Sequence, residues 1–236
     1  MTQPAPIILV PGWWLGAWAW DEVIVNLASE GVVATALTLP GLESTDADRS
    51  SVTFEDHIAA ISQAVEASER PVVLAVHSGA GFPGYATSDR VPERIAAMVY
   101  VDTGAGVGAM DAEFADVEKP LASPEDLAAN ENLDGLSEQQ LATFRERAVP
   151  QPGGVLRGST ELANDARKAI PTVVICTAYT AEEYRDAVEK GYDFVAGLAD
   201  QTDVTYVDLP TSHWPMWSRP HDLAQILADV AREHAS

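Results

Sequence analysis

Short, unbroken apolar runs alternate with amphipathic stretches along most of this chain. Ile7–Val10, residues 72–76, Ile95–Val101, Thr172–Cys176 and residues 204–209 are rich in β-branched side chains and nearly free of charge. Runs of this length read as strands buried on both faces. Residues 32–39 read as another strand, stopped by Pro40-Gly41. Between these runs the spacing turns helical. One helix is predicted from about Trp18 to just before Gly31, a natural residue to end it. A second covers residues 54–68 with Thr53 at its N-cap. A third follows the glycines after Ser78, and a last one covers residues 220–234. Strands alternating with helices imply βαβ crossovers and a mostly parallel sheet.

The rhythm breaks between Gly104 and about Lys168. No strand-like run occurs there, only helical patches at residues 125–130 and 137–147 separated by proline and glycine. A structureless loop of that length is rare in a compact domain. We therefore expect residues 1–103 and 169–236 to form an α/β core, and residues 104–168 a helical insert over the C-terminal strand ends, where ligands bind in open parallel sheets. Such an insert would act as a lid, with Phe114 and Phe144 among the apolar residues shaping a pocket.

Candidate chemistry concentrates at the same sheet edge. Val76-His77-Ser78-Gly79-Ala80-Gly81 follows the run PVVLAV and precedes a helix. A serine on a sharp strand-to-helix turn needs small neighbours two positions away. Ala80 and Gly81 provide them on the helix side; Val76 stands where glycine is usual. The turn would place the Gly79 N–H at a helix start, able to stabilise an oxyanion. A glycine at position 12 would let the Trp13 N–H turn toward Ser78 as a second donor, with Trp14 lining the pocket.

A serine hydroxyl needs a base. Of five histidines, His77 adjoins the nucleophile and points away from it, His57 lies in the preceding helix, and His221 and His234 belong to the last helix and its tail. His213, in Thr211-Ser212-His213-Trp214-Pro215 just past the last strand, is the candidate base. The base in turn needs a partner to fix its tautomer. Asp102, ending the run IAAMVYVD, gives the order Ser78, Asp102, His213 expected for this chemistry. Glu182 and Glu183 are the second choice, because they fall in the first turn of a helix.

Composition narrows the partners. The net charge of −22 comes from 36 acidic and 14 basic side chains and disfavours nucleic acid and anionic membranes. It reads as solubility, and the charge by itself gives no reason to infer a cationic substrate. No run reaches the roughly 18 apolar residues of a membrane span, and the N-terminus lacks the basic and apolar regions of a signal peptide. The one cysteine, Cys176, allows no intrachain disulfide, which agrees with a cytoplasmic location; it is expected to be core. Metal-ligand spacing is absent. Gly104-Ala105-Gly106-Val107-Gly108 does not match the dinucleotide fingerprint, so no cofactor is expected and the partner is a small-molecule substrate.

The segments LVPGWWLGAWAWDEV, LTLPGLESTD, VVLAVHSGAGFPGY, VYVDTGAG and LPTSHWPMWSRPHDLA resemble, in order, the α/β-hydrolase superfamily. They are similar to its small, lidded, cofactor-free branch of hydroxynitrile lyases and plant methylesterases. The resemblance covers most of the chain outside the insert. It implies an α/β-hydrolase fold with an eight-stranded, mostly parallel sheet. It also implies Ser78 as nucleophile, His213 as base, and Trp13 and Gly79 as oxyanion donors. Two departures stand out. The family's acid usually follows the strand corresponding to TVVIC, where Thr177-Ala178-Tyr179-Thr180 holds no carboxylate; Asp102 matches the alternative place after the preceding strand. The oxyanion loop reads Pro11-Gly12 in place of His-Gly. A serine at the elbow argues against haloalkane dehalogenase and epoxide hydrolase chemistry. The leading expectation is a serine hydrolase of a small, fairly apolar ester or lactone working through an acyl-enzyme. Cofactor-free lyase or dioxygenase chemistry with His213 as base, and a non-catalytic ligand-binding receptor, are the alternatives.

Overall fold

In the computed structural model, which describes residues 3–235, one sheet contains β1 (Ile7–Val10), β2 (Ala34–Ala36), β3 (Val72–His77), β4 (Ile95–Val101), β7 (Thr172–Cys176) and β8 (Val204–Asp208). The order is β2-β1-β3-β4-β7-β8, and every neighbouring pair is parallel. The main sheet therefore has six strands rather than the eight implied by the resemblance. Among the described residues no further segment bonds to either edge strand, β2 or β8. The chain runs outward from β1 to β2, then crosses back to β3 on the other side of β1. The strand order thus reverses between β1 and β3, and such a reversal opens a crevice at the strand C-termini.

The central runs lack alternation because both faces are covered, yet their side chains still divide by a period of two. Ile7, Leu9, Val73, Ala75, Val99 and Val101 point into one apolar layer. Ile8, Val10, Leu74, Val76, Met98 and Tyr100 point into the other. The first layer is closed by α1 (Asp21–Ser29) and α9 (Pro220–Glu233), through Leu27, Leu223 and Leu227. The second is closed by α2 (Phe54–Glu66), α3 (Gly81–Arg90) and α7 (Ala181–Glu189), through Ile61, Tyr85 and Tyr184. The start of α2 is fixed by a reciprocal cap: the Thr53 hydroxyl accepts from the Asp56 N–H, and the Asp56 carboxylate accepts from the Thr53 N–H. The strand expected over residues 32–39 is bonded as a ladder only over β2; Thr38 accepts from the Ala17 N–H instead, and the chain then turns away at Pro40-Gly41. Cys176 is buried at the end of β7. No helix among the described residues is long and apolar enough to cross a membrane.

Residues 104–168 leave the end of β4 and lie over the sheet's C-terminal edge. They form α4 (Pro124–Asn130), α5 (Glu138–Arg147) and α6 (Gly153–Arg157). They also form strands, which the sequence does not predict: β5 (Glu118–Lys119) and β6 (Gln151–Pro152) pair antiparallel. Two residues are too few for a period-two pattern, and Pro152 reads as a breaker. The insert is tied down at several points. Trp14 Nε1 donates to the Lys119 carbonyl at 3.0 Å, and the Val149 N–H donates to the Trp14 carbonyl at 3.0 Å. Phe144 of α5 is fully buried, its ring 5.1 Å from Trp214 and 5.2 Å from Trp217. Phe144→Ala is expected to cost about 3–5 kcal/mol, the usual loss for a buried phenylalanine, measurable as a lower urea midpoint. A loss below about 1 kcal/mol would show that the insert is not anchored through this ring.

Candidate active site

Among the described residues, three other than glycine have positive φ: Trp14 (66°), Ser78 (53°) and Asp102 (48°). They follow β1, β3 and β4 at the same sheet edge. Such conformations cost free energy and cluster where a site requires them. After β3, the chain turns through a single 3₁₀ turn, Ser78–Ala80, directly into α3. The turn tolerates Val76 because the clearance is provided on the helix. Val76 packs against α3 at Gly84, where a Cβ would lie 2.6 Å from Val76 Cγ1. On the other side, the β1 loop closes onto the elbow at Gly12, where a Cβ would meet Ser78 Cβ at 2.7 Å. Glycine at these two positions allows the elbow to form without the usual glycine at position 76.

The structure brings the three candidate residues into one hydrogen-bonded chain. Ser78 Oγ lies 2.8 Å from His213 Nε2, and His213 Nδ1 lies 2.6 Å from Asp102 Oδ2. The other carboxylate oxygen, Oδ1, accepts from the Thr177 N–H at 3.1 Å and the Ala178 N–H at 3.0 Å, with the Tyr184 hydroxyl donating at 3.4 Å. The loop after β7 that carries no acid therefore contributes backbone donors to an acid borne by β4. Glu183 does not reach the histidine. It caps α7, accepting from the Thr180 N–H and hydroxyl, and Glu182 is exposed.

The position of His213 is set by its backbone as well as its ring. Its N–H donates to the Asn132 carbonyl of the insert at 2.8 Å, and its carbonyl accepts from His77 Nε2 at 2.7 Å. Burial pushes the His77 pKa down to about 3, so that ring is neutral. With its proton on Nε2 for this bond, Nδ1 is left without a partner, as observed. His77 is thus a fixed support for the base. His57 is likewise buried, its pKa pushed down to about 4 by desolvation, and its Nε2 donates to the Pro40 carbonyl at 2.9 Å. For His213, burial alone would lower the pKa. The Asp102 hydrogen bond and charge, together with Glu131, outweigh it and hold the imidazole above its ordinary value. For Asp102, burial acts upward, and the His213 contact with the Thr177 and Ala178 N–H groups brings the net shift downward.

A cavity of about 480 Å³ opens above Ser78. Trp13 and Trp14 line it from the β1 loop and Phe82 from α3. The expected insert aromatics do not line it: Phe144 is spent on anchoring α5, and Phe114 lies elsewhere. Ala109, Met110 and Glu131 line it instead. Glu131, Tyr184 and the aromatic residues from position 179 to 194 are missing from the sequence reading. Their only signal in the chain is a cluster of aromatics without helical or strand spacing. An ionised carboxylate, an imidazole and a hydroxyl in this order can take the hydroxyl proton as oxygen attacks an electrophilic carbon.

The alpha/beta hydrolase family pattern matches residues 7–226. Methylesterase 7 of Arabidopsis thaliana is 25% identical over 260 residues, covering 97% of this chain and 96% of that protein. Esterase PIR7B of Oryza sativa subsp. japonica is 26% identical over 261 residues, covering 96% of each. Among solved structures, an extracellular alpha/beta-hydrolase from a Paenibacillus species superposes with TM-score 0.76 at 18% identity, over 97% of this chain and all of that one. Polyneuridine aldehyde esterase superposes with TM-score 0.71 at 19% identity, over 97% and 100% of the two chains. At these identities the superpositions establish the fold alone. With the family pattern spanning nearly the whole chain, this protein is an enzyme of the alpha/beta hydrolase family.

Proposed function

We propose that the enzyme is a serine esterase that cleaves a small, fairly apolar carboxylic ester or lactone through an acyl-enzyme. The observation that carries this reading is the unbroken chain from Ser78 Oγ through His213 to Asp102, with contacts of 2.8 and 2.6 Å. Ser78 Oγ attacks the ester carbonyl carbon while His213 Nε2 takes its proton. The same proton passes to the departing alkoxide as the C–O bond breaks. His213 then deprotonates a water that attacks the acyl-enzyme, releasing the carboxylic acid and returning the proton to Ser78. The N–H groups of Trp13 and Gly79 are the oxyanion donors in this reading. Among the described residues the Trp13 N–H has no backbone acceptor, and Gly79 directly follows Ser78 in the turn. The insert of residues 104–168 serves as the lid. The relatives named methylesterase and esterase support the ester as substrate. The contact of Asp102 with His213 supplies the acid whose absence after β7 left lyase and dioxygenase chemistry open, and so favours hydrolysis.

A fluorophosphonate probe followed by peptide mapping tests this directly. One adduct per chain, on Ser78, is expected. Its rate must depend on pH, because the imidazolium form of His213 cannot accept the serine proton. Labelling should therefore fall as pH drops, through an inflection above the ordinary histidine value of 6.5, in the direction in which Asp102 shifts this group. A folded protein that takes no adduct would sink the esterase reading. An inflection below 6.5 would show that Asp102 does not govern the base.

A further inference from the structure

Part of the lining of the cavity above Ser78 is aromatic and acidic, and it continues into a second cavity. That neighbour, of about 430 Å³, shares Tyr179, Tyr184, Tyr192 and Phe194 with the first. The rings meet at inclined angles. Tyr179 and Tyr184 have centroids 6.5 Å apart at 80°, Tyr184 and Phe194 6.3 Å apart at 66°, and Tyr192 and Phe194 stack 6.4 Å apart. Three of them are open to solvent: Tyr179 is 57% exposed, Tyr192 53% and Phe194 37%. Packing does not require large rings there, and together they give the site an aromatic mouth.

The charges at this mouth are of one sign. Glu131 and Asp193 line the cavity above Ser78, and neither lysine nor arginine lines either cavity among the described residues. The Lys119 ammonium lies over the Trp13 ring, 4.8 Å from its centroid, without entering the lining. Glu131 is half-buried, and burial raises its carboxyl pKa with no hydrogen bond or cation from the lining to oppose it beyond His213. A half-buried carboxylate without a partner is costly. An anionic substituent would add repulsion. A neutral apolar substituent would satisfy the rings and leave Glu131 unpaired. A cation satisfies both, since aromatic faces and carboxylates attract it together.

We propose that the esters this site prefers carry an ammonium group, seated among Tyr179, Tyr184, Tyr192 and Phe194 and facing Glu131 and Asp193. The inference rests on the esterase reading of Ser78 and adds the substrate class. It comes from the lining of this cavity, and the net charge of the chain plays no part in it.

Choline and 3,3-dimethylbutan-1-ol have the same shape and differ by a quaternary nitrogen in place of a carbon. Each is titrated for its ability to slow fluorophosphonate labelling of Ser78, at low salt and at a pH where His213 is neutral. Choline is expected to protect at about tenfold lower concentration, the scale of a cation held by rings and carboxylates. Added salt should erode the difference. In the Glu131→Gln, Asp193→Asn double variant the preference for choline should shrink severalfold, leaving only the share held by the rings, and a preference as large as in the wild type would remove the two carboxylates from the site. Equal protection in the wild type, better protection by the uncharged alcohol, or protection by neither would overturn the ammonium proposal while the labelling itself still supports the esterase. Absence of labelling without any protectant would remove the esterase reading, and the substrate class with it.

Discussion

Ser78→Ala, His213→Ala and the double variant are expected to lose the same activity, each on the order of 10⁶-fold in kcat for an activated aryl ester. Losses of that size are typical where nucleophile and base act as a unit, so that removing either removes both. The geometry here requires it. Among the described residues the base in contact with Ser78 Oγ is His213 Nε2, at 2.8 Å, and His77, the nearest alternative in sequence, has its pKa pushed down to about 3 by burial and its Nε2 committed to the His213 carbonyl. The residual rate in all three should exceed that in water through the Trp13 and Gly79 N–H groups and binding alone. Losses that instead multiply in the double variant would show that the two residues act independently, contrary to the proposed mechanism. Circular dichroism on the same samples separates lost chemistry from lost structure.

Asp102→Asn is expected to lower kcat by about 10⁴-fold with the fold intact. An asparagine keeps an oxygen where Oδ1 accepts from the Thr177 and Ala178 N–H groups, so the β4 end and the β7 loop stay joined. Its amide nitrogen then faces His213 Nδ1, which must become an acceptor. The ring proton moves to Nε2 and points at Ser78 Oγ, the wrong direction for taking a proton. The acid limb should also move. Asp102 is the largest influence holding the His213 pKa up, so the inflection of the residual activity should fall relative to wild type. A variant with unchanged inflection and less than about tenfold loss would remove Asp102 from its role and reopen the search for the acid. Asp102→Ala, in contrast, leaves two buried N–H groups without an acceptor and is expected to be less stable than Asp102→Asn.

Much of the sheet can be read directly from the sequence, because strands covered on both faces need apolar residues at every position. β1, β3, β4 and β7 lie where the apolar runs lie. The edge strand β2 is shorter than its run, since extended chain continues past the last ladder bond. The antiparallel pair of β5 and β6 has no signal in the sequence, because two residues carry no period. At the site, Ser78, Asp102 and His213 each end or follow a strand, and parallel strands deliver their ends to one edge. Their residue types and order were therefore enough to single them out. The number of strands and the insert residues that line the cavity were not, since these depend on which segments bond to the sheet edges and on which ring wins the space beneath α5.

The sequence by itself determined the class of fold and the sheet edge at which Ser78, Asp102 and His213 meet, because each follows from local pattern and chain order. Three things were decided only by the tertiary structure. Val76 is tolerated at the elbow because Gly84, eight residues away on α3, leaves room for it. Asp102, rather than a glutamate of α7, meets His213 because backbone N–H groups 75 and 76 residues further along hold its carboxylate there. Glu131 and the aromatic mouth line one cavity because residues after α4 and residues after β7 are brought to the same sheet edge. The last two depend on contacts between segments distant in the chain, the first on how α3 packs back on its own strand, and the free energy of such contacts has no local signature in the sequence.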